Sequence, residues 1–104
     1  MPKIIDSVEQ IISAVQYLKT KFEILKMPKS AEVNYSMEQI FLGTLNILLQ
    51  LSLKKEISSD KFNIYGRHLR ETFSSFVVPR PEDYYEKIFG REAVELMKEY
   101  LVVK

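Results

Sequence analysis

The sequence of 104 residues contains no cysteine, and it has only three glycines, four prolines and one histidine. Without cysteine the chain can form neither a disulfide nor a thiolate metal site. Three glycines are too few for the tight turns of a many-stranded sheet. An excess of one charge is also lacking, since 15 Lys and Arg stand against 14 Asp and Glu and the net charge is +1. The composition therefore provides no overall attraction to nucleic acid or to an anionic membrane.

No apolar run in the sequence is long enough to cross a membrane. The most apolar stretch, residues 40–53, has 14 residues and includes Gly43, Asn46 and Gln50, whereas a membrane span needs about 20 mainly apolar residues. Asp6 interrupts the apolar run at the N-terminus, so residues 1–6 lack the apolar core of a signal peptide. We therefore expect a cytoplasmic protein that does not contact a membrane.

Helical periodicity is the dominant pattern in the first half of the chain. Apolar residues recur at a 3.6-residue spacing over residues 3–26, which predicts an amphipathic helix. A loop is predicted for residues 28–35, because proline forces the residue before it out of the helical region. Ser36 and Gln39 have the spacing of a capping box. This spacing predicts a second helix over residues 36–57.

The second half of the chain also predicts helices. Residues 58–60 (Ser-Ser-Asp) are three consecutive cap candidates for a third helix over residues 61–76. Two prolines make residues 77–81 extended. The last segment changes its apolar face at Gly90, which predicts a break there. We expect one all-α domain over residues 1–104, a compact bundle of four main helices with the last one broken or kinked near Gly90.

The inventory of catalytic side chains is nearly empty. His68 is the only histidine, and Glu71 lies one helical turn away, so these two side chains could pair. Zinc needs three or four ligands, and a di-iron site in a helical bundle needs two Glu-x-x-His motifs. No glycine-rich phosphate loop is present. We therefore expect no enzyme, no metal, no cofactor and no evident small-molecule ligand, with a site around His68 as the one exception.

Apolar side chains cover most of the circumference of the second predicted helix. The narrow polar strip that remains consists of Gly43, Asn46, Gln50 and Lys54. A peripheral helix normally has an apolar stripe a little over 100° wide, so this helix must be covered on several sides, by the rest of the chain or by a partner. Tyrosine is enriched at interfaces. The candidate interface residues are Phe41, Leu42, Leu45, Leu49, Tyr84 and Tyr85.

The favoured function is accordingly a non-enzymatic assembly module, self-associating or an accessory subunit of a larger intracellular complex. The alternative is a helical subunit that binds nucleic acid through a basic face of the third helix, since residues 58–80 hold four basic and two acidic side chains. The candidate contacts are Lys61, Asn63, Arg67 and Arg70. The simpler interpretation of this face is a solvated surface beside the acidic last segment.

Overall fold

The computed structural model describes the backbone of residues 4–26 and 30–104, and the side chains of residues 7–26 and 30–104. Within these residues the chain forms helices and no β-strand, which confirms the predicted all-α fold. The elements are α1 (Ile4–Leu25), α2 (Ala31–Leu53), α3 (Ser59–Phe73), α4 (Glu82–Phe89), α5 (Arg91–Met97) and a 3₁₀ turn (Lys98–Tyr100). The predicted fourth helix is thus two short helices, α4 and α5.

The start of α2 differs from the prediction. Ser30 is the N-cap, and its hydroxyl accepts a hydrogen bond from the N–H of Val33 at 3.1 Å. Ser36 lies inside the helix, so the predicted capping box is wrong, and the predicted loop does not extend beyond Ser30. Both serines are followed by helix-compatible residues, and Glu32 in the first turn favours the earlier start through the helix dipole. Residues 28 and 29 of that loop lie outside the described part of the chain.

Replacing each of these two serines by alanine distinguishes the cap from the interior position. We expect Ser30→Ala to lower the free energy of unfolding by about 1 kcal/mol, because the N–H of Val33 loses its acceptor. Ser36→Ala, the matched control inside the helix, should change it by less than about 0.5 kcal/mol. Urea unfolding followed by circular dichroism measures both values. Equal losses for the two variants would contradict the assignment of the cap.

The other helix ends follow local backbone chemistry. Lys55 takes a left-handed conformation (φ +57°) and ends α2 earlier than predicted. Ser58 caps α3 by accepting from the N–H of Lys61 at 3.2 Å, which confirms one of the three predicted cap candidates. Gly90 has φ +91°, a value that side chains other than glycine rarely adopt, and it separates α4 from α5 as predicted.

One cluster of buried side chains draws on all five helices. Its largest fully buried members are Tyr85, Phe41, Phe73, Phe76, Leu45 and Leu48. α3 lies against α1, α2 and the 3₁₀ turn, so it is α3, rather than α2, on which most of the other elements pack. The C-terminal residues return to the segment before α4, where the N–H of Arg80 donates to the carbonyl of Val102 and the N–H of Lys104 donates to that of Arg80.

The molecule is a thin slab of 41 × 36 × 19 Å. Since a helix with its side chains is about 10–12 Å wide, the thin dimension holds only two helix layers. Two layers cover each helix of this compact bundle on only part of its circumference, and apolar side chains stay exposed on α1 and α2.

Candidate docking groove

An open groove runs between α2 on one side and α4 and α5 on the other. It consists of two adjoining cavities of about 410 and 600 Å³, which share Asn46, Ile88 and Phe89 in their walls. Along α2 it extends from Gln39 to Leu53, a length of about 21 Å at 1.5 Å per residue. We call this surface the docking groove. Its dimensions suit a helix of three to four turns.

The docking groove is open, and both apolar and polar residues line it, the polar ones being Gln39, Asn46, Gln50 and Glu92. Gly43 contributes no side chain, and a Cβ added there would meet no atom within 4 Å. Leu53, Ile88 and Leu96 line the groove and are all exposed to solvent. The α2 wall carries no charge over residues 39–53. A partner could therefore bury this wall without removing a charged group from water.

A partly buried ion pair lies at one end of the docking groove. The side chain of Glu38 is only 4% exposed, and its Oε2 lies 3.2 Å from Nε of Arg80. The hydroxyl of Tyr84 donates to Oε1 of Glu38 at 3.2 Å, and the guanidinium of Arg80 lies over the Tyr84 ring at 5.1 Å. Hydrogen bonding to Glu38 raises the pKa of Arg80. These contacts fix the start of α4 against α2 and hold the groove wall in place.

Tyr85 holds the other side of α4. Its hydroxyl donates to the carbonyl oxygen of Val102 at 2.7 Å. Burial, together with the nearby charge of Glu38, raises the pKa of Tyr85 to about 12. The phenol is therefore protonated at neutral pH and keeps its hydrogen bond to the C-terminal segment. Tyr85 is a core residue that joins α4 to the end of the chain.

The predicted interface divides into core residues and groove residues. Phe41, Leu45 and Tyr85 are buried inside the chain, so their assignment to an interface is wrong. The physical reason is that other elements of the chain cover this side of α2, including Phe73 of α3, whose ring lies 5.5 Å from that of Phe41. Leu42 and Leu49 line the docking groove but are also buried, at 7% and 5% exposure, so Tyr84 is the one candidate that is partly exposed there.

The four candidate nucleic-acid contacts do not form one surface. Lys61 faces a groove between α3 and α1, whereas Arg67 and Arg70 lie about 120° and 180° away around α3 at 100° per residue. Asn63 accepts a hydrogen bond from the hydroxyl of Tyr100, and its carbonyl accepts one from Nε of Arg67. Lys61 is therefore separate from the other three, which lie within about 60° of one another around α3. The side chain of Asn63 is occupied within the chain.

His68 lies on the surface, in the groove of about 530 Å³ between α1 and α3. The carboxylate in that groove, Glu9, accepts a hydrogen bond from Tyr65. Glu71 lines a separate, shallow depression with His68. Among the described residues, no three His, Asp or Glu side chains lie close enough together to hold a metal ion.

The sequence pattern missed a bare surface on α1. Leu18 and Leu25 follow the 3.6-residue apolar spacing that predicts the amphipathic helix, but both are exposed. Val8, Ile12 and Val15 are buried. Exposed apolar residues cluster instead on another side of the helix. We call this surface the α1 face, and it consists of Ala14, Tyr17, Leu18, Ile24 and Leu25.

The comparisons with known proteins found no similarity. No protein-family model matches the chain, and neither the curated proteins nor the solved structures contain a significant match. In the part of the chain that the structure describes, no helix combines the length and apolarity of a membrane span.

Proposed function

We propose that the protein is a non-enzymatic, self-associating helical module and that its docking groove binds a second copy of the chain. The observation that carries the proposal is an open, uncharged α2 wall opposite exposed apolar side chains of α4 and α5. Such a groove provides binding energy and a defined direction for a helix. It provides no arrangement of catalytic groups.

Burial of the exposed groove residues supplies the driving force. Leu53, Ile88 and Leu96 are each about half exposed or more. Burying a large apolar side chain contributes roughly 1.5–3 kcal/mol, so full burial of these three would contribute up to several kcal/mol before the costs of association. The exposed residues of the α2 wall include Gly43, Asn46 and Gln50. Burial of the two amides requires hydrogen bonds but no counter-ion.

The charge distribution favours a second copy as the occupant. α4 and α5 carry five acidic and two basic side chains, and the rest of the chain holds the other 13 Lys and Arg against nine Asp and Glu. The charged residue that lines the docking groove is Glu92, whereas Glu82, Glu86 and Glu95 are paired with Arg91. The rest of the chain carries a net positive charge. Complementary surfaces of this kind direct association and set its orientation. A chain that carries both surfaces can serve as its own partner.

Two exposed leucines of the groove provide the test. In the groove variant, Leu53→Lys combined with Leu96→Lys, the dissociation constant for self-association should rise at least about 100-fold, since two apolar contacts are lost and two desolvated charges are added. Val78→Lys is the matched control, because Val78 is similarly exposed but lies outside the docking groove. Sedimentation velocity measures the association of all three proteins. An unchanged dissociation constant for the groove variant would reject the proposal.

A further inference from the structure

We infer that the segment bound in the docking groove is the α1 face of a second copy, so that the chains associate head to tail. This inference rests on the proposed self-association and names the surface that takes part in it.

The α1 face is the most extensive exposed apolar surface on a single helix of the described chain. Ile24 is 67% exposed, and Tyr17 and Leu25 are each 61% exposed. At 100° per residue, its five residues lie within an arc of about 120°, on the side turned away from Val8 and Val15. One helix therefore buries one apolar face in its own fold and presents a second one outward. A surface helix of a monomeric protein needs only the apolar face that it buries in its own fold.

The α1 face fits the docking groove in length. From Ala14 to Leu25 it spans about 17 Å at 1.5 Å per residue, and the groove is about 21 Å long by the same measure. Its apolar side chains lie on both sides of Lys21, and the exposed apolar residues of the opposing groove wall are Ile88 of α4 and Leu96 of α5. A helix in a groove of this type is recognised by apolar anchors at spacings of three, four and seven residues. Tyr17 and Leu18 lie three and four residues after Ala14, and Ile24 and Leu25 lie seven residues after Tyr17 and Leu18.

The α1 face and the docking groove carry charges of opposite sign. Residues 14–26 hold three lysines and one glutamate. Lys21 is at the centre of the α1 face, with its ammonium group 5.3 Å from the centroid of the Tyr17 ring. Glu92 lines the docking groove, and none of the described cations lies within ion-pair distance of it. Binding of the α1 face would bring Lys21 to Glu92, and each would gain a partner.

This contact joins two different surfaces, and the symmetry of the assembly follows from that. When the α1 face of one copy occupies the groove of the next, the first copy retains an empty groove and the last retains a free α1 face. A heterologous contact of this kind produces a ring or an open filament, whereas a contact between identical surfaces ends at a dimer. We therefore expect assemblies of more than two chains.

Mixing two defective variants tests the inference. The α1 variant, Ile24→Glu combined with Leu25→Glu, keeps an intact groove, and the groove variant keeps an intact α1 face. Both pairs of substitutions are at exposed positions, and circular dichroism verifies that both proteins are folded. Each variant alone should be monomeric. An equimolar mixture should form a complex of two chains that does not grow, with a dissociation constant within about tenfold of the wild-type contact.

A charge exchange tests the orientation of the bound helix. Lys21→Glu and Glu92→Lys should each weaken self-association, and mixing the two single variants should restore it, because the altered α1 face then meets the altered groove. Lys19→Glu, on another side of α1, is the control for Lys21→Glu and should show no such restoration.

The outcomes separate this inference from the proposed function. Wild-type assembly that the groove variant abolishes and the α1 variant retains would overturn the head-to-tail contact, while self-association through the groove would stand. Monomeric variants whose mixture stays monomeric would also overturn the contact. A wild-type chain that is monomeric under all conditions would overturn both.

Discussion

Replacing Leu45 by lysine is expected to unfold the chain, whereas the same replacement at Leu53 should leave it folded. Both residues belong to α2, but Leu45 is 1% exposed and Leu53 is 62% exposed. Lysine at position 45 would lose the apolar burial of leucine, which costs about 2–5 kcal/mol, and would place an unpaired ammonium group in the core. The total is comparable to the stability of a small domain, about 5–15 kcal/mol.

Far-ultraviolet circular dichroism and thermal unfolding distinguish the two variants. Leu45→Lys should show little helix at 25 °C or a midpoint lowered by tens of degrees, and Leu53→Lys should unfold close to the wild-type midpoint. The comparison separates residues that maintain the fold from residues of the docking groove. Similar midpoints for both variants would show that position 45 is not enclosed by the chain.

Gly66 is expected to be far less tolerant of alanine than Gly43. Both glycines are inside helices, so the gain in helix propensity is about 1 kcal/mol in each case. A Cβ at Gly66 would lie 2.6–2.8 Å from three ring atoms of Tyr100, whereas a Cβ at Gly43 meets open space. The Tyr100 ring cannot move aside easily, because it packs against Phe62 at 5.8 Å and its hydroxyl is bonded to Asn63.

The difference between the two alanine variants isolates the cost of overpacking, since the propensity gain cancels. We expect Gly66→Ala to be less stable than Gly43→Ala by about 1–3 kcal/mol. Urea unfolding at a protein concentration where the chain is monomeric measures both values. Equal stabilities would mean that α3 and the 3₁₀ turn are not in the close contact described above.

Local signals in the sequence were sufficient for most of the fold. Ser58 has the residue type and position of an N-cap, and the structure confirms it. The change of apolar face at Gly90 likewise predicts the break between α4 and α5. Ser30 and Ser36 show where such signals are insufficient, because both have the chemistry of a cap and only the three-dimensional structure selects one.

The candidate site was less predictable, because apolar periodicity does not state which element covers a given face. Leu18 and Leu25 belong to the same stripe as Val15, yet only Val15 is buried in the slab. The Glu38–Arg80 pair joins residues 42 positions apart in sequence, and no local pattern relates them. Conversely, the uncharged stretch after Glu38 was visible in the sequence and did indicate an unusual surface.

The mass of the wild-type protein as a function of concentration is the most direct test of self-association through the docking groove. Sedimentation equilibrium should give a weight-average mass that rises above the 12.2 kDa of one chain and continues to rise past two chains. Raising the salt concentration should weaken the association, because the proposed contact pairs Lys21 of one copy with Glu92 of the next. A mass that stays at 12.2 kDa at every concentration that remains in solution would contradict the account.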